Sequence, residues 1–548
     1  MIKKLILIGI FIFSSCKKES KTILIEQRQF YYPVLKGKDI NPVLRIDVIK
    51  ADSLELSNLS EIIISTAGTS NLSTIESISL YYNKLNDSIL TKESELLTSV
   101  TEISDHTSLK VDVDLKYRTN YFWVSYKLKD STNINNLVSA ECKKVITNYG
   151  ETTAQRLDSP KKLRLGVAVR KHGDDAVETY RIPALVTTNK GTLLGAYDVR
   201  RQGGRDLQGD IDIGISRSTD KGVTWSPMAI ALDRGEWANL PQKYNGISDA
   251  NLLVNRTNND VFVSALWMHG VINTEGKWLE GMTQDSTAWN HQWRNKGSQP
   301  GFGIKQTSQF LIAKSSDDGR TWEEPINITK MCKKEEWWLF APAPGNGITL
   351  KDGTLVIPTQ GRDKEGVPFS NITYSKDDGE TWKTSEPAYT STTECAIVQL
   401  EDGSLMLNMR DNRNREEKGE KNGRAIFTTD NLGETWKEHH TSHGTLPEPV
   451  CMASLYKHEY TENGQEKSLL LFSNPNMKEG RYNITIKTSL DNGETWPEKY
   501  WILIDEGRGR GYSSLTSVDE GTIGILYESS QADMTFQKVL LKDILNRP

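Results

Sequence analysis

Apolar and polar residues alternate with a period of two along much of the chain. "LRIDVIK" (Leu44–Lys50), "LKVDVDLKY" (Leu109–Tyr117) and "YFWVSYKL" (Tyr121–Leu128) each put apolar side chains on one face and polar ones on the other. This is the pattern of half-buried strands. Across residues 21–149 such runs are separated by Ser-, Thr- and Asn-rich turns, which predicts a β-sandwich. Two roles fit that block: a spacer or packing module, or a carbohydrate binder working through Tyr121, Phe122 or Trp123. A polar stretch over residues 150–162 reads as a linker. From 163 to 548, runs such as "IDIGIS", "QFLIAK" and "NITIKT" each lead into a glycine-containing phrase that ends on tryptophan.

That phrase occurs five times: "SRSTDKGVTW" (Ser216–Trp225), "AKSSDDGRTW" (Ala313–Trp322), "TYSKDDGETW" (Thr373–Trp382), "FTTDNLGETW" (Phe427–Trp436) and "KTSLDNGETW" (Lys487–Trp496). Aligned on glycine it reduces to [Ser/Thr]-x-Asp-x-Gly-x-Thr-Trp, with Asn431 replacing Asp in the fourth copy. An Asp or Asn side chain can accept hydrogen bonds from the amides just ahead of it and close a turn. Glycine supplies the positive φ of a tight hairpin. The unit is therefore strand, turn, strand, and its aspartates lock turns and do no catalysis. Successive tryptophans are 97, 60, 54 and 60 residues apart. The shorter spacings suit one four-stranded blade of a β-propeller, and the 97-residue gap suits one blade with long insertions. The fold class is all-β, with about six blades behind an N-terminal β-sandwich.

The net charge of −5, without long runs of one sign, excludes the basic stripe of a nucleic-acid binder. Residues 1–16 read as a signal peptide: a basic head, then "LILIGIFIF" (Leu5–Phe13), too short to span a bilayer. Phe13-Ser14-Ser15-Cys16 resembles a bacterial lipobox. It implies export and a lipid on Cys16 that anchors the protein to the outer membrane, at its periplasmic face or the cell surface. The other four cysteines (Cys142, Cys332, Cys395 and Cys451) have no metal-ligand spacing and read as buried apolar residues. The histidines of "HHTSHG" (His439, His440, His443) have no matching carboxylate or cysteine spacing, so no metal and no cofactor are expected. The tryptophan-rich stretch from Trp237 to Trp293 either lines a cleft or packs the insertions. A monomer is expected.

"ETYRIPALV" (Glu178–Val186) ahead of the first phrase narrows the field. With the spaced phrases, which are Asp-boxes, it resembles the bacterial exo-α-sialidases, six-bladed propellers that remove terminal sialic acid from glycoconjugates. The resemblance implies that sialylated glycans are the partners. It also implies that three arginines hold the substrate carboxylate: Arg181, Arg410 in "LNMRDNRN" and Arg481 in "EGRYNITIK". Arg200 in "AYDVRR" and Asp249 in "GISDANLL" match further sugar contacts, Asp249 on the O4 side. Asp206 in "GGRDLQG" matches the acid/base and Glu394 in "TTECAIVQL" the base. Only its glycine-rich loop and spacing select Asp206 over its neighbours Asp198, Asp210 and Asp212. Tyr512 in "GYSSL" matches the nucleophile, and Glu528 in "ILYESS" the brace of Arg181. One departure is the basic "RGRGY" ahead of Tyr512.

The chemistry suits the residue types. Three guanidinium groups can form charge-assisted bonds to one carboxylate. A neutral phenol avoids the repulsion that an Asp or Glu nucleophile would meet from that carboxylate, and sialidases with a Tyr nucleophile are a known exception to the two-carboxylate rule. Moving a proton from Tyr to Glu costs roughly 8 kcal/mol at ordinary pKa values. Either the clustered arginines, with Arg508 or Arg510, lower the phenol's pKa, or the proton moves in concert with attack. A non-catalytic sialic-acid lectin and a transglycosylating variant are the rival readings.

Overall fold

The computed structural model describes residues 23–546, except 52–53, 55–56, 84–89, 91–92, 205, 208, 238–241, 243–244, 270–297 and 305. The expected signal peptide and Cys16 lie outside the described residues, as do Trp278, Trp289 and Trp293.

The three alternating runs fall on strands Pro42–Lys50, His106–Asp114 and Thr119–Leu128. They belong to two antiparallel sheets. One runs Ile23–Arg28, Pro42–Lys50, Thr119–Leu128, Ile75–Asn83, Glu95–Val100; the other runs Gly150–Thr153, Glu141–Thr147, Asn58–Ser65, His106–Asp114. Their apolar faces meet in a core that includes Ile46, Val48, Ile62, Ile64, Leu80 and Phe122.

Two expectations change here. Gly150–Thr153 pairs with Lys144–Thr147 as an edge strand of the sandwich, so the connecting stretch starts only after Thr153. Phe122 and Trp123 are buried, and Trp123 stacks on Phe30 with ring centroids 5.6 Å apart. Neither can meet a sugar; both pack the sandwich.

Six radial blades follow, the first two hydrogen-bonded into one nine-stranded sheet through Ile211 and Gly246. Their innermost strands begin at Thr179, Asn245, Phe340, Thr392, Ser454 and Ser513, and successive ones lie side by side around the axis. The second blade fills the 97-residue gap, with its insertion between Val261–His269 and Gln309–Ser315. The sixth blade takes Ser513–Asp519, Thr522–Tyr527 and Met534–Leu540 from the C-terminal end and its outer strand, Leu163–Arg170, from the start of the propeller. This pairing closes the ring. On the outer edge of Leu163–Arg170 the front domain adds Val34–Lys36 in parallel and Leu137–Val138 in antiparallel. The sandwich and the first and sixth blades consequently share one continuous apolar core.

The boxes close turns by saturating one side chain. Asp220 accepts from the Val223 and Thr224 amides at 3.1 and 2.9 Å and from the Thr224 hydroxyl at 2.6 Å. Ser218 Oγ donates to Asp220 and accepts from the Gly222 amide, both at 2.8 Å. Asp317, Asp377 and Asp491 repeat the arrangement. Asn431 keeps it by accepting from the Thr435 amide at 3.1 Å while its own amide donates to the Thr435 hydroxyl at 2.9 Å. The box glycine is needed twice over. Gly222 has φ +82, and a Cβ there would lie 2.0 Å from the Phe536 ring of the sixth blade. Gly319 meets Leu194 of the first blade in the same way, and Gly379 meets Phe262 of the second. Each of these boxes thus seats its blade on the preceding one.

Candidate active site at the mouth of the propeller

In an antiparallel blade the start of the innermost strand and the end of the second strand lie at the same end. Every site residue read from the sequence falls at that end. Arg181, Asp249 and Glu394 are near the starts of innermost strands, and Tyr512 directly precedes one. Arg200 ends a second strand, Arg410 is next to the end of another, and Glu528 directly follows a third. Asp206 and Arg481 lie on the loops that follow second strands. Bulges aim two of these positions. The register shifts between Arg181 and Ala184 and between Ser248 and Asn251, with Ile182 at φ +60 and Asp249 at φ +64. Positive φ is costly for a branched residue such as Ile182, and bulges re-aim side chains next to active sites.

The phenol of Tyr512 is at the centre. Its hydroxyl donates to Glu394 Oε1, and Arg410 Nη1 donates both to Glu394 Oε2 and, at 3.1 Å, to the phenolic oxygen. The guanidinium carbons of Arg181 and Arg481 lie 5.6 and 5.5 Å from the Tyr512 ring centroid. Three arginines from the first, fourth and fifth blades therefore surround one side chain from the sixth. Glu528 braces this arrangement. One oxygen accepts from Arg181 Nε at 2.5 Å and from the Ile182 amide at 3.0 Å, and the other from the Tyr512 amide at 2.9 Å. Burial alone would raise the Glu528 carboxyl, but Arg181 and these amides outweigh it and hold the pKa below its ordinary value. Burial and the Glu394 carboxylate push the Tyr512 phenol well above its ordinary 10, against the pull of Arg410 and Arg481. The free site thus holds a neutral phenol.

Asp206 stands apart from the buried groups, with its side chain half exposed. It accepts from Arg200 Nη1 at 2.7 Å and lies 3.8 Å from Arg181 Nη1. Its partial withdrawal from water would raise its pKa, but Arg200 and Arg181 hold it below the ordinary value. Asp249, across the mouth, is pushed well above its ordinary value by burial and by Glu394, Asp198 and Asp206.

Sequence reasoning missed the supports beneath these groups. Asp198 is fully buried and accepts from Arg200 Nη2 at 2.8 Å, Ser248 Oγ at 2.6 Å and the Asp249 amide at 3.2 Å, tying the first blade to the second. Its signal was present in "AYDVRR", where it sits two residues before Arg200. Glu448 is also fully buried. It accepts from Arg424 Nη1 at 2.7 Å and from the Asp411 amide at 2.7 Å, fixing the residue next to Arg410. No local signal points to that pair. Away from the mouth, the fifth box supplies a carboxylate that spacing did not reveal: Glu494 lies 3.4 Å from His439 Nε2 and 3.6 Å from His440 Nε2. The four cysteines of the described residues are free and buried.

On an Asp-box propeller, cations and carboxylates gathered around a neutral phenol make a site able to hold an anion and move protons. Comparison with known proteins gives the family. Residues 191–525 match the BNR repeat-like domain, and residues 22–151 match the N-terminal domain of BNR-repeat neuraminidase. A sialidase of Bacteroides fragilis (strain YCH46) is 41% identical over 100% of both chains. A sialidase of Clostridium perfringens is 28% identical over 64% of this chain and 86% of its own. The solved structure of Hadza microbial sialidase Hz136 has a TM-score of 0.85 and 38% identity, covering 95% of this chain and 100% of that one. The chain belongs to the BNR-repeat sialidase (neuraminidase) family.

Proposed function

We propose that this protein is an exo-α-sialidase that releases terminal sialic acid from glycoproteins, glycolipids or oligosaccharides with retention, through Tyr512. The supporting observation is the phenol of Tyr512 bonded to Glu394 and Arg410 with Arg181 and Arg481 alongside its ring. The sialic acid carboxylate binds between Arg181, Arg410 and Arg481. Its charge offsets theirs and stands close to Asp206, which raises the Asp206 pKa in the complex, as a like charge does. Asp206, now protonated, gives its proton to the glycosidic oxygen as that bond breaks. Tyr512 Oη bonds to the anomeric carbon while its proton passes to Glu394. In the second half, water attacks the anomeric carbon and loses its proton to Asp206, and Glu394 returns a proton to the leaving phenol. Two inversions give net retention. Asp249, its pKa raised by burial and by Glu394, Asp198 and Asp206, contacts the O4 side of the sugar. Arg200 holds Asp206 until substrate arrives. The steps need no cofactor.

Proton NMR during hydrolysis of a fluorogenic α-sialoside tests this reading. The α-anomer of free sialic acid forms first, and mutarotation follows. First formation of the β-anomer would remove Tyr512 as nucleophile, and absence of release by pure protein would leave a sialic-acid-binding lectin.

The same reading includes export and anchoring through a lipid on Cys16. No helix among the described residues is long and apolar enough to cross a membrane. Cys16→Ala should move the protein from the membrane to the soluble fraction. The working form is a monomer, and a sedimentation mass of twice the chain would refute that.

A further inference from the structure

The segment from Gly507 to Tyr512, "GRGRGY", alternates two kinds of side chain with two faces. Its glycines press on the body of the protein. A Cβ at Gly507 would lie 2.4 Å from Ser530 Cβ, one at Gly509 2.4 Å from the Glu528 carbonyl, and one at Gly511 2.9 Å from Pro475. The intervening arginines, Arg508 and Arg510, are exposed. Among the described residues neither side chain makes a hydrogen bond or ion pair. Both line a cavity of about 1220 Å³ between the propeller and the front domain, whose Gly37–Ile40 turn forms the opposite wall.

The turn is built, not draped. It directly follows Val34–Lys36, the strand joined to the sixth blade. Asn41, fully buried, accepts from the Leu35 amide at 2.8 Å and donates to the carbonyls of Leu35, Lys38 and Tyr126 at 3.0–3.1 Å. The acids on the cavity wall are already engaged. Asp533 accepts from the Thr179 hydroxyl and the Tyr180 amide at 3.0 Å, Asp174 from the Lys171 amide at 2.9 Å, and Asp39 lies 3.4 Å from Lys127 Nζ. Lys38 donates to Gln531 and Lys171 to the Gly37 carbonyl, both at 2.8 Å. Of the lysine and arginine side chains lining the cavity, Arg508 and Arg510 are therefore the two without a hydrogen-bond or ion-pair partner among the described residues.

Arg510 also links the cavity to the loop that carries Asp206, the group that would protonate the leaving oxygen. A Cβ at Gly204, on the loop that carries Asp206, would lie 3.1 Å from Arg510 Nη2.

We infer that this junction cavity is the leaving-group subsite and that Arg508 and Arg510 select leaving groups bearing an anion, a carboxylate or a sulfate ester. The inference rests on the sialidase reading above. It gives the front domain a direct part in substrate choice without any sugar site of its own. Free guanidinium groups beside a shaped cavity bind such anions by charge-assisted, paired hydrogen bonds.

The test is a ratio of kcat/KM values, so it is insensitive to the amount of folded enzyme. The anionic substrates are an α-linked disialoside, whose leaving group is itself a sialic acid, and a sialoside of a sulfated lactose. The neutral reference is the same sialoside of unsulfated lactose. The wild-type ratio should exceed one and fall as salt is added. Arg508→Gln and Arg510→Gln together should lower it at least tenfold, and Lys38→Gln two- to threefold. A fall for the disialoside alone assigns the site to carboxylates, and a fall for both anionic substrates to anions in general. A wild-type ratio of one, or a ratio unchanged in the double variant, overturns the inference. If the wild type releases sialic acid from none of the three, the sialidase reading fails instead, and the same ratio taken from calorimetric binding constants decides the subsite.

Discussion

The outer turns and the central mouth both rest on saturated carboxylates, but they saturate them differently. Asp317 takes its hydrogen bonds from the Arg320 and Thr321 amides, the Thr321 hydroxyl and Ser315, all within four residues. These bonds outweigh its slight burial and lower its pKa to about 2. Glu528 takes its bonds from Arg181 and Ile182, some 346 residues away, and from Tyr512. A box can form as soon as its hairpin does. The mouth exists only when the ring has closed, because its cations and anions come from blades that meet last in sequence.

That difference can be broken from either side. Tyr512→Phe removes only an oxygen and should cut kcat on the order of 10³-fold or more, with the melting temperature unchanged within a degree or two. Asp206→Asn should cost about 10²–10⁴-fold on a natural glycoside and much less on a substrate whose phenol leaves without a proton. Wild-type turnover of the natural glycoside by this variant would remove Asp206 as the acid. Glu528→Gln loosens Arg181 without touching substrate. It should raise KM roughly tenfold with a smaller change in kcat, and a kcat collapse at constant KM would refute the bracing role.

Lys487 sharpens the comparison, because it is a buried cation that neither scheme satisfies. Its Nζ is buried with no hydrogen-bond partner, 4.7 Å from the Trp501 ring centroid. Burial, aided by Arg424, brings its pKa down to about 7. A pKa lower in the folded than in the unfolded state means that unfolding takes up a proton between about pH 7 and 10.5. Wild-type stability therefore falls as pH drops through that window. Lys487→Met should stabilise by about 1–3 kcal/mol at pH 6, and the gain should shrink as pH rises towards 10 in thermal melts. The smallest effect belongs to a single box. Asp377→Ala should cost about 0.5–1.5 kcal/mol in urea unfolding and leave kcat/KM unchanged.

The same contrast explains what could be read in advance. The boxes are legible because all their partners lie in one ten-residue window, and their spacing gave the blade count and located the long insertion. Arg181, Glu394 and Tyr512 were legible only through a family resemblance, since nothing local says that strand ends far apart in sequence meet. Asp198 and Glu448 escaped because a buried acid is recognised by its distant partners. Trp123 stayed open for the opposite reason: an aromatic on an alternating strand reads as a sugar platform or a core residue, and the stacking on Phe30 decides for the core. A three-residue strand such as Val34–Lys36 is too short for any pattern to reveal.

That short strand has a consequence for anyone who would cut the protein in two. An outermost strand with open amides and carbonyls is a template on which other chains add. Here Leu163–Arg170 is sheathed along that side by Val34–Lys36 and Leu137–Val138. A truncation starting near residue 160 would bare the strand and the greasy surface beneath it, inviting self-association even where every blade had formed.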